Sequence, residues 1–246
     1  MSKYSDGFSN IDNNFGKDSN YDVESGGHVR ANNYGIDFDT IQYLQKVYTI
    51  VSFMLGTTVL ICWASMYNTA FNTWLVNTCT HWTITFLPFV FSIIPMFYIF
   101  RNRNNPEKCR IPCAIFTIAM SISVATVCAI YAAAGYRDVV ILAFAGTMTI
   151  FFALTAFTFQ SKIDFSFLNQ IVFVGIITLI IISIFGISTY WTSGLGIFIF
   201  SCAIILDTFF LIKYGKYLNN PYMGAVNIYL DIINLFLYVL QFLSRD

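Results

Sequence analysis

From Val47 onward the chain alternates long apolar runs with short polar interruptions. A membrane-spanning helix needs about 20 apolar residues. Runs of that kind lie at residues 47–67, 82–100, 111–134, 139–159, 168–190 and 196–214. A seventh segment, 222–243, is weaker, because its strongly apolar part is only 228–243. At 1.5 Å per residue that part covers about 24 Å of a roughly 30 Å hydrocarbon core. The segment spans if residues 222–227 are included, and is re-entrant otherwise. Ahead of these runs, residues 1–38 are rich in Asn, Ser, Gly and Asp. Such a tail buries too little apolar surface to offset its ordering entropy and is expected to be disordered. Asp39 then offers a helix N-cap, with Gln42 three residues on in capping-box position. The pattern predicts an all-α polytopic membrane protein, with a helical transmembrane domain over residues 39–246.

Composition agrees with the pattern. The 246 residues are 57% hydrophobic and 11% charged, against about 25% charged in soluble domains. Mean hydropathy is +0.66. A soluble globule of this size would expose large apolar patches, so an ordinary cytosolic enzyme is excluded. Net charge is zero, which leaves no basic footprint for nucleic acid. The polar start of the chain does not read as a cleavable signal peptide. Basic residues set an orientation. Lys3, Lys17, Arg30 and Lys46 precede the first run, Arg101, Arg103, Lys108 and Arg110 follow the second, Lys162 follows the fourth, and Lys213 and Lys216 follow the sixth. Only Arg137 and Arg245 fall on the other side when all seven segments span. The positive-inside rule then predicts a cytosolic N-terminus.

Of 13 acidic residues, only Asp207 and Asp231 lie well inside apolar runs. A central Asp costs about 2.5–3.5 kcal/mol on insertion scales. Two of them in neighbouring segments are accommodated most easily by facing each other. Intramembrane carboxylates commonly mark ion or proton paths, the plain alternative being a polar contact between helices. Asn227, Asp231, Asn234, Tyr238 and Gln241 recur at intervals of three and four, which puts them in one stripe on a helix otherwise apolar. Such a helix belongs inside a bundle, with its stripe against protein or water. Two carboxylates close together in a low dielectric titrate as a coupled pair. A shared proton clamps the helices, and its loss sets like charges against each other. The ionised pair suits a hard cation such as Ca²⁺, held transiently by Asp207 and Asp231.

The cysteines read mainly as small buried hydrophobes. Cys109 and Cys113, four apart beside basic residues, carry the alternative of a redox or metal pair, although no His or further Cys lies near.

The stretch AVNIYLDIINLFLYVLQFL around Asp231 resembles the most characteristic segment of the Bax inhibitor-1 (TMBIM) family. KVYTIVSFML, VVILAFAGTMTIFFALTAFTFQSKIDFSFL and DTFFLIKYGK add to the resemblance, which covers residues 45–244. AFTFQSKIDFS and IYLDIINLFL are most similar to the Golgi anti-apoptotic protein branch, which includes viral copies. The resemblance implies six helices around a central C-terminal seventh. It implies a pH-sensitive Ca²⁺ leak from the Golgi or endoplasmic reticulum that lowers store Ca²⁺ and inhibits apoptosis. It also implies that Asp207 and Asp231 are a di-aspartyl pH sensor. Arg101 matches the basic residue that latches the sensor, or else is an ordinary positive-inside anchor. Many relatives carry a third-span Glu where this chain has Met120, and GKYLNNPYMG is less acidic than its family counterpart. Ca²⁺ is expected only as permeant ion, with no cofactor. Expected partners are lipid, cell-death or Ca²⁺-release membrane proteins, and a second copy of the chain.

Two rivals were weighed against the residues. Intramembrane aspartyl proteases need Tyr-Asp and Gly-x-Gly-Asp, whereas Leu206 precedes Asp207, and Ile228, Tyr229 and Leu230 precede Asp231. A Ser/His dyad fails because His28 and His81 lie outside the runs and Thr192, Ser193 and Gly194 read as a loop. A scaffold that only binds membrane partners remains as the alternative to a channel.

Overall fold

The computed structural model describes residues 38–79, 82–185, 189–215 and 220–244. The N-terminal tail through Asp37, His28 within it, His81, Lys216 and Arg245 lie outside the described residues. The described chain is helical throughout, with no strand among the described residues. In chain order the helices are α1 (Phe38–Tyr67), α2 (Thr69–Cys79), α3 (Trp82–Arg101), α4 (Pro106–Ala133), α5 (Arg137–Gln160), α6 (Leu168–Ile184), α7 (Thr189–Tyr214) and α8 (Pro221–Leu243). A 3₁₀ turn, Phe165–Phe167, leads into α6. Among the described residues, six segments are long and apolar enough to cross a membrane: α1, α4, α5, α6 with its leading turn, α7 and α8. This is a multi-pass membrane protein, and its outward faces carry exposed Phe53, Leu60, Phe152, Phe173 and Val174 against lipid.

Four details differ from the sequence pattern. First, α1 begins at Phe38, so Asp39 lies in its first turn rather than capping it. Second, α2 was expected to be connecting chain. Asn68 Oδ1 accepts from the Phe71 amide at 3.1 Å and starts it. At 11 residues it is about 16 Å long, too short to cross. Third, the run 168–190 is not one helix: α6 stops at Ile184, and Tyr190 belongs to α7. Fourth, Thr192, Ser193 and Gly194 are helical residues of α7, not a loop.

Helix α8 answers the question its hydropathy left open. Asn220 caps it, accepting from the Tyr222 amide at 3.0 Å, and Pro221 occupies the first turn. From there it runs unbroken for 23 residues, about 34 Å. Its two ends are tied to opposite ends of α4. Asn220 Nδ2 donates to Cys109 Sγ at 3.1 Å, and Ser244 Oγ donates to the Tyr131 hydroxyl at 3.3 Å. The segment therefore traverses the bundle from one end to the other and does not turn back.

Packing follows from small and hydroxyl residues at the crossings, as it must where lipid removes the hydrophobic drive between helices. Helices α1 and α4 run side by side in parallel. Thr58 Oγ1 meets Ser121 Oγ at 2.9 Å, and Ser65 Oγ donates to the Ala125 carbonyl at 3.1 Å. Helix α8 packs against α1, α3, α4, α5 and α7. Its Ile228, Tyr229, Ile232, Leu235 and Phe236 are almost wholly buried. Helix α6 is peripheral. Leu168 and Val172 form a separate small cluster with Cys202, Ala203 and Leu206 of α7.

Candidate functional site

The site is built by the close antiparallel approach of α7 and α8. Two glycines permit it. A methyl group at Gly196 would stand 2.5 Å from the Tyr238 ring, and one at Gly224 would stand 2.8 Å from Leu211 Cδ2. Phe200 stacks on Tyr238 at 5.7 Å between ring centroids. The register fixed by these contacts sets Asp207 opposite residues 227–231, so the two carboxylates predicted from sequence face one helix interface. They lie within electrostatic reach of each other.

Their surroundings differ. Asp207 lines a cavity of about 350 Å³ together with Tyr43, Arg103, Asn104, Asn220 and Asn227. Asp231 is not among the lining residues; it lies one turn further along α8 from Asn227, about 6 Å deeper. The arrangement is thus a vestibule of mixed lining, completed by Phe210, Leu211, Met223 and Gly224, with one carboxylate in its wall and a second one helical turn beyond it. On the α1 side, Tyr48 bonds Thr208, the residue after Asp207, with hydroxyl oxygens 3.4 Å apart.

The polar stripe of α8 faces α7 rather than the main core. Asn227 lines the cavity, Tyr238 fills the space above Gly196, and Asn234 Nδ2 satisfies itself on the Leu230 carbonyl at 2.9 Å. Gln241 is half-buried, its carbonyl accepting from Ser244 Oγ at 3.3 Å. The opposite face of α8 enters the core, where Phe236 stacks on Phe144 at 4.1 Å and Tyr229 meets Phe116 edge-on at 5.9 Å.

Arg101 is the last residue of α3, exposed, and not among the residues lining the cavity. The cation in the cavity wall is Arg103, two residues later in the connection to α4. Cys109 accounts for that placement. Its thiol reaches the Asn105 carbonyl at 3.5 Å and the Asn102 carbonyl at 3.6 Å, and accepts from Asn220. Tyr43 adds a bond from its hydroxyl to the Asn220 carbonyl at 3.2 Å. The loop bearing Arg103 is thereby braced to the start of α8. Cys113 packs its thiol against Met54 Sδ at 3.9 Å. Both cysteines are buried and unbridged.

Sequence reasoning missed a second polar feature. Thr58, Ser121 and Tyr229, from three helices, join their hydroxyls inside the core. Thr58 Oγ1 is 2.9 Å from Ser121 Oγ and 2.8 Å from the Tyr229 hydroxyl. They lie in three separate runs, 63 and 171 residues from one another in the pairs that meet, so nothing in the linear pattern pairs them. Met120, beside Ser121, is buried in the main core.

The family model described as "Inhibitor of apoptosis-promoting Bax1" matches residues 40–246. Bax inhibitor 1 of Schizosaccharomyces pombe is 30% identical over 210 residues, covering 82% of this chain and 76% of the relative. The Golgi anti-apoptotic protein of vaccinia virus (strain Lister) is 31% identical over 211 residues, covering 82% and 84%. A BI1-like protein of Arabidopsis thaliana is 30% identical, covering 96% of this chain and 94% of the relative.

Proposed function

Because the chain belongs to the Bax inhibitor-1 family, we propose that it is a pH-sensitive Ca²⁺ leak channel of Golgi or endoplasmic-reticulum membranes that lowers store Ca²⁺ and inhibits apoptosis. It acts in transport and not as an enzyme. The observation that carries this reading is Asp207 in the cavity wall, with Asp231 on the facing helix one turn beyond Asn227, which lines the same cavity. No other pair of acidic residues stands inside the apolar runs.

In this reading the N-terminus is cytosolic and α8 is the central element, with α7 moving against it. At low pH a proton shared by Asp207 and Asp231 holds the helices together. Deprotonation opposes two like charges, separates the helices and leaves oxygen ligands for Ca²⁺. Arg103 and Asn104 line the entrance, where Arg103 balances Asp207 while the path is closed. Asn227 continues the hydrophilic wall inward.

The test is Ca²⁺ flux through the purified protein in liposomes as pH is varied. Asp207→Asn and Asp231→Asn keep size and hydrogen bonding but remove one titratable group each. Either variant is expected to flatten the pH response, and the double variant to add little, because the coupling vanishes with the first loss. Wild-type pH dependence in both single variants would return the two residues to a structural contact. Absence of flux from a protein that still protects cells would favour a scaffold that restrains cell-death or Ca²⁺-release proteins.

A further inference from the structure

Tyr43 of α1 touches the adjoining ends of both helices that carry the carboxylates. It is only 8% exposed and lines the cavity together with Asp207. Its hydroxyl donates at 3.2 Å to the carbonyl of Asn220, the residue that caps α8. Its ring lies against Gly215, which follows the last residue of α7. A methyl group at Gly215 would stand 3.0 Å from Tyr43 Cδ1. One at Gly224, in the first turn of α8, would stand 3.4 Å from the Tyr43 hydroxyl oxygen. Two small residues at the facing helix ends thus leave the room that this one side chain fills.

The bond to Asn220 fixes the ring. A buried Tyr hydroxyl needs a partner, and here the partner is main chain. The Asn220 side chain is itself engaged at both ends, Nδ2 with Cys109 Sγ at 3.1 Å and Oδ1 with the Tyr222 amide at 3.0 Å. The carbonyl it offers Tyr43 is therefore held in place. Packing alone would be met equally well by Phe.

Contacts along α1 and α7 order the cavity in depth. Tyr48, about a turn and a half beyond Tyr43 on α1, meets Thr208, the neighbour of Asp207. Asp207 lies about two turns, or about 10 Å, inside the end of α7. Tyr43 therefore stands at the outer end of the vestibule and Asp207 at its inner end. An ion that reaches Asp207 from the helix ends enters beside this ring. The width of a path and the groups that line it decide which ions pass. We propose that Tyr43 is the size-limiting residue of the vestibule: its ring, tied to Asn220 and seated on Gly215, sets the largest cation that reaches Asp207. This rests on the reading of the vestibule as a cation path.

The experiment compares fluxes of Ca²⁺ and of N-methyl-D-glucamine, a much wider organic cation, through the full chain in liposomes at a pH where wild type conducts Ca²⁺. Wild type is expected to pass the first and exclude the second. Tyr43→Ala is expected to admit both. Tyr43→Phe keeps the ring and is expected to go on excluding the wide cation. Phe53→Ala, at an exposed site on the same helix, is expected to behave as wild type. A second measurement restores the ring chemically. Tyr43→Cys in a Cys79→Ser background is expected to admit the wide cation, to exclude it after attachment of a benzyl group from benzyl methanethiosulfonate, and to admit it again after reduction. This arm decides the matter even where Tyr43→Ala does not fold. Exclusion of N-methyl-D-glucamine by a Tyr43→Ala protein that still conducts Ca²⁺, its equal entry through Tyr43→Phe, or no effect of the benzyl group on Tyr43→Cys would each overturn the proposal. A wild-type chain that carries no Ca²⁺ at any pH would overturn the channel reading and the proposal with it.

Discussion

Single residues divide here into those whose charge serves the cavity and those whose charge holds a loop. Asp164 is of the second kind. It caps the turn before α6 through the Ser166 amide at 2.9 Å and pairs with Lys213 of α7, also at 2.9 Å. The Ser166 hydrogen bond first, and the Lys213 contact second, hold its carboxyl down at about 2. A depressed carboxyl contributes stability above its unfolded value near 3.9, and that contribution is lost as pH falls toward 2. Asp164→Asn should therefore differ from wild type by a constant Tm offset above about pH 5. The offset should shrink progressively from about pH 5 down to about pH 1, as a pH series of thermal melts will show. Across neutral pH this residue does not titrate and leaves the shape of any flux response unchanged. Arg103 is of the first kind. Removing its positive charge from the cavity wall makes protonation near Asp207 easier, so Arg103→Gln is expected to move the pH response of Ca²⁺ flux upward. Arg101→Gln, at an exposed site off the cavity, is expected to leave it in place. The reverse result would return the latch to Arg101. The sequence made Asp207 and Asp231 legible because isolated acids in apolar runs are rare. It did not distinguish Arg103 from Arg101, since that choice depends on how the Asn102–Asn105 turn folds back under Cys109 and Asn220.

At the scale of elements, the decisive contact is between α7 and α8, and glycine sets its distance. Gly196→Ala places a methyl group 2.5 Å from the Tyr238 ring, so the ring or the helix must move. Overpacking of this kind costs about 1–3 kcal/mol. The variant is expected to lower the melting temperature and to shift the closed state toward separation, raising flux at acid pH. Gly56→Ala in α1 meets nothing within 4 Å and should be neutral or stabilise by roughly 0.5–1 kcal/mol through helix propensity. Equal melting temperatures for the two variants would remove the α7–α8 contact from the gating argument. The helices themselves were legible because length and hydropathy dominate inside a bilayer. Helix α2 was not, because Asn72, Thr73 and Asn77 dilute its apolar pattern. What stabilises it is tertiary: Asn72 Nδ2 donates to the Ser65 carbonyl at 2.9 Å and the Ala129 carbonyl at 3.3 Å. The break after Ile184 was hidden for the opposite reason, since apolar residues continue through it.

For the whole molecule, the path of α8 determines where its C-terminal end lies relative to the α3–α4 loop. Hydropathy left two topologies open, and the charge rule could not choose between them with Arg245 as its only witness. The contacts at its ends do choose. Asn220 meets the start of α4 through Cys109, and Ser244 meets its far end through Tyr131. Helix α4 is 28 residues long, or about 42 Å, so these contacts lie at opposite ends of the helix, further apart than the thickness of a hydrocarbon core. Ser244 therefore sits at the opposite end of α4 from the α3–α4 loop. If the basic loop is cytosolic, as its charge predicts, the C-terminus is lumenal. Single cysteines introduced at Lys108 and at Asp246 test this in sealed vesicles. The described native thiols are buried, and a Cys79→Ser background removes the remaining one. An impermeant maleimide applied from the cytosolic side should label Lys108→Cys and not Asp246→Cys, with the second appearing after the membrane is permeabilised. Labelling of both from one side would mean that α8 re-enters rather than crosses. Asp231 would then approach Asp207 from a hairpin, and the path inward from the vestibule would end within the membrane.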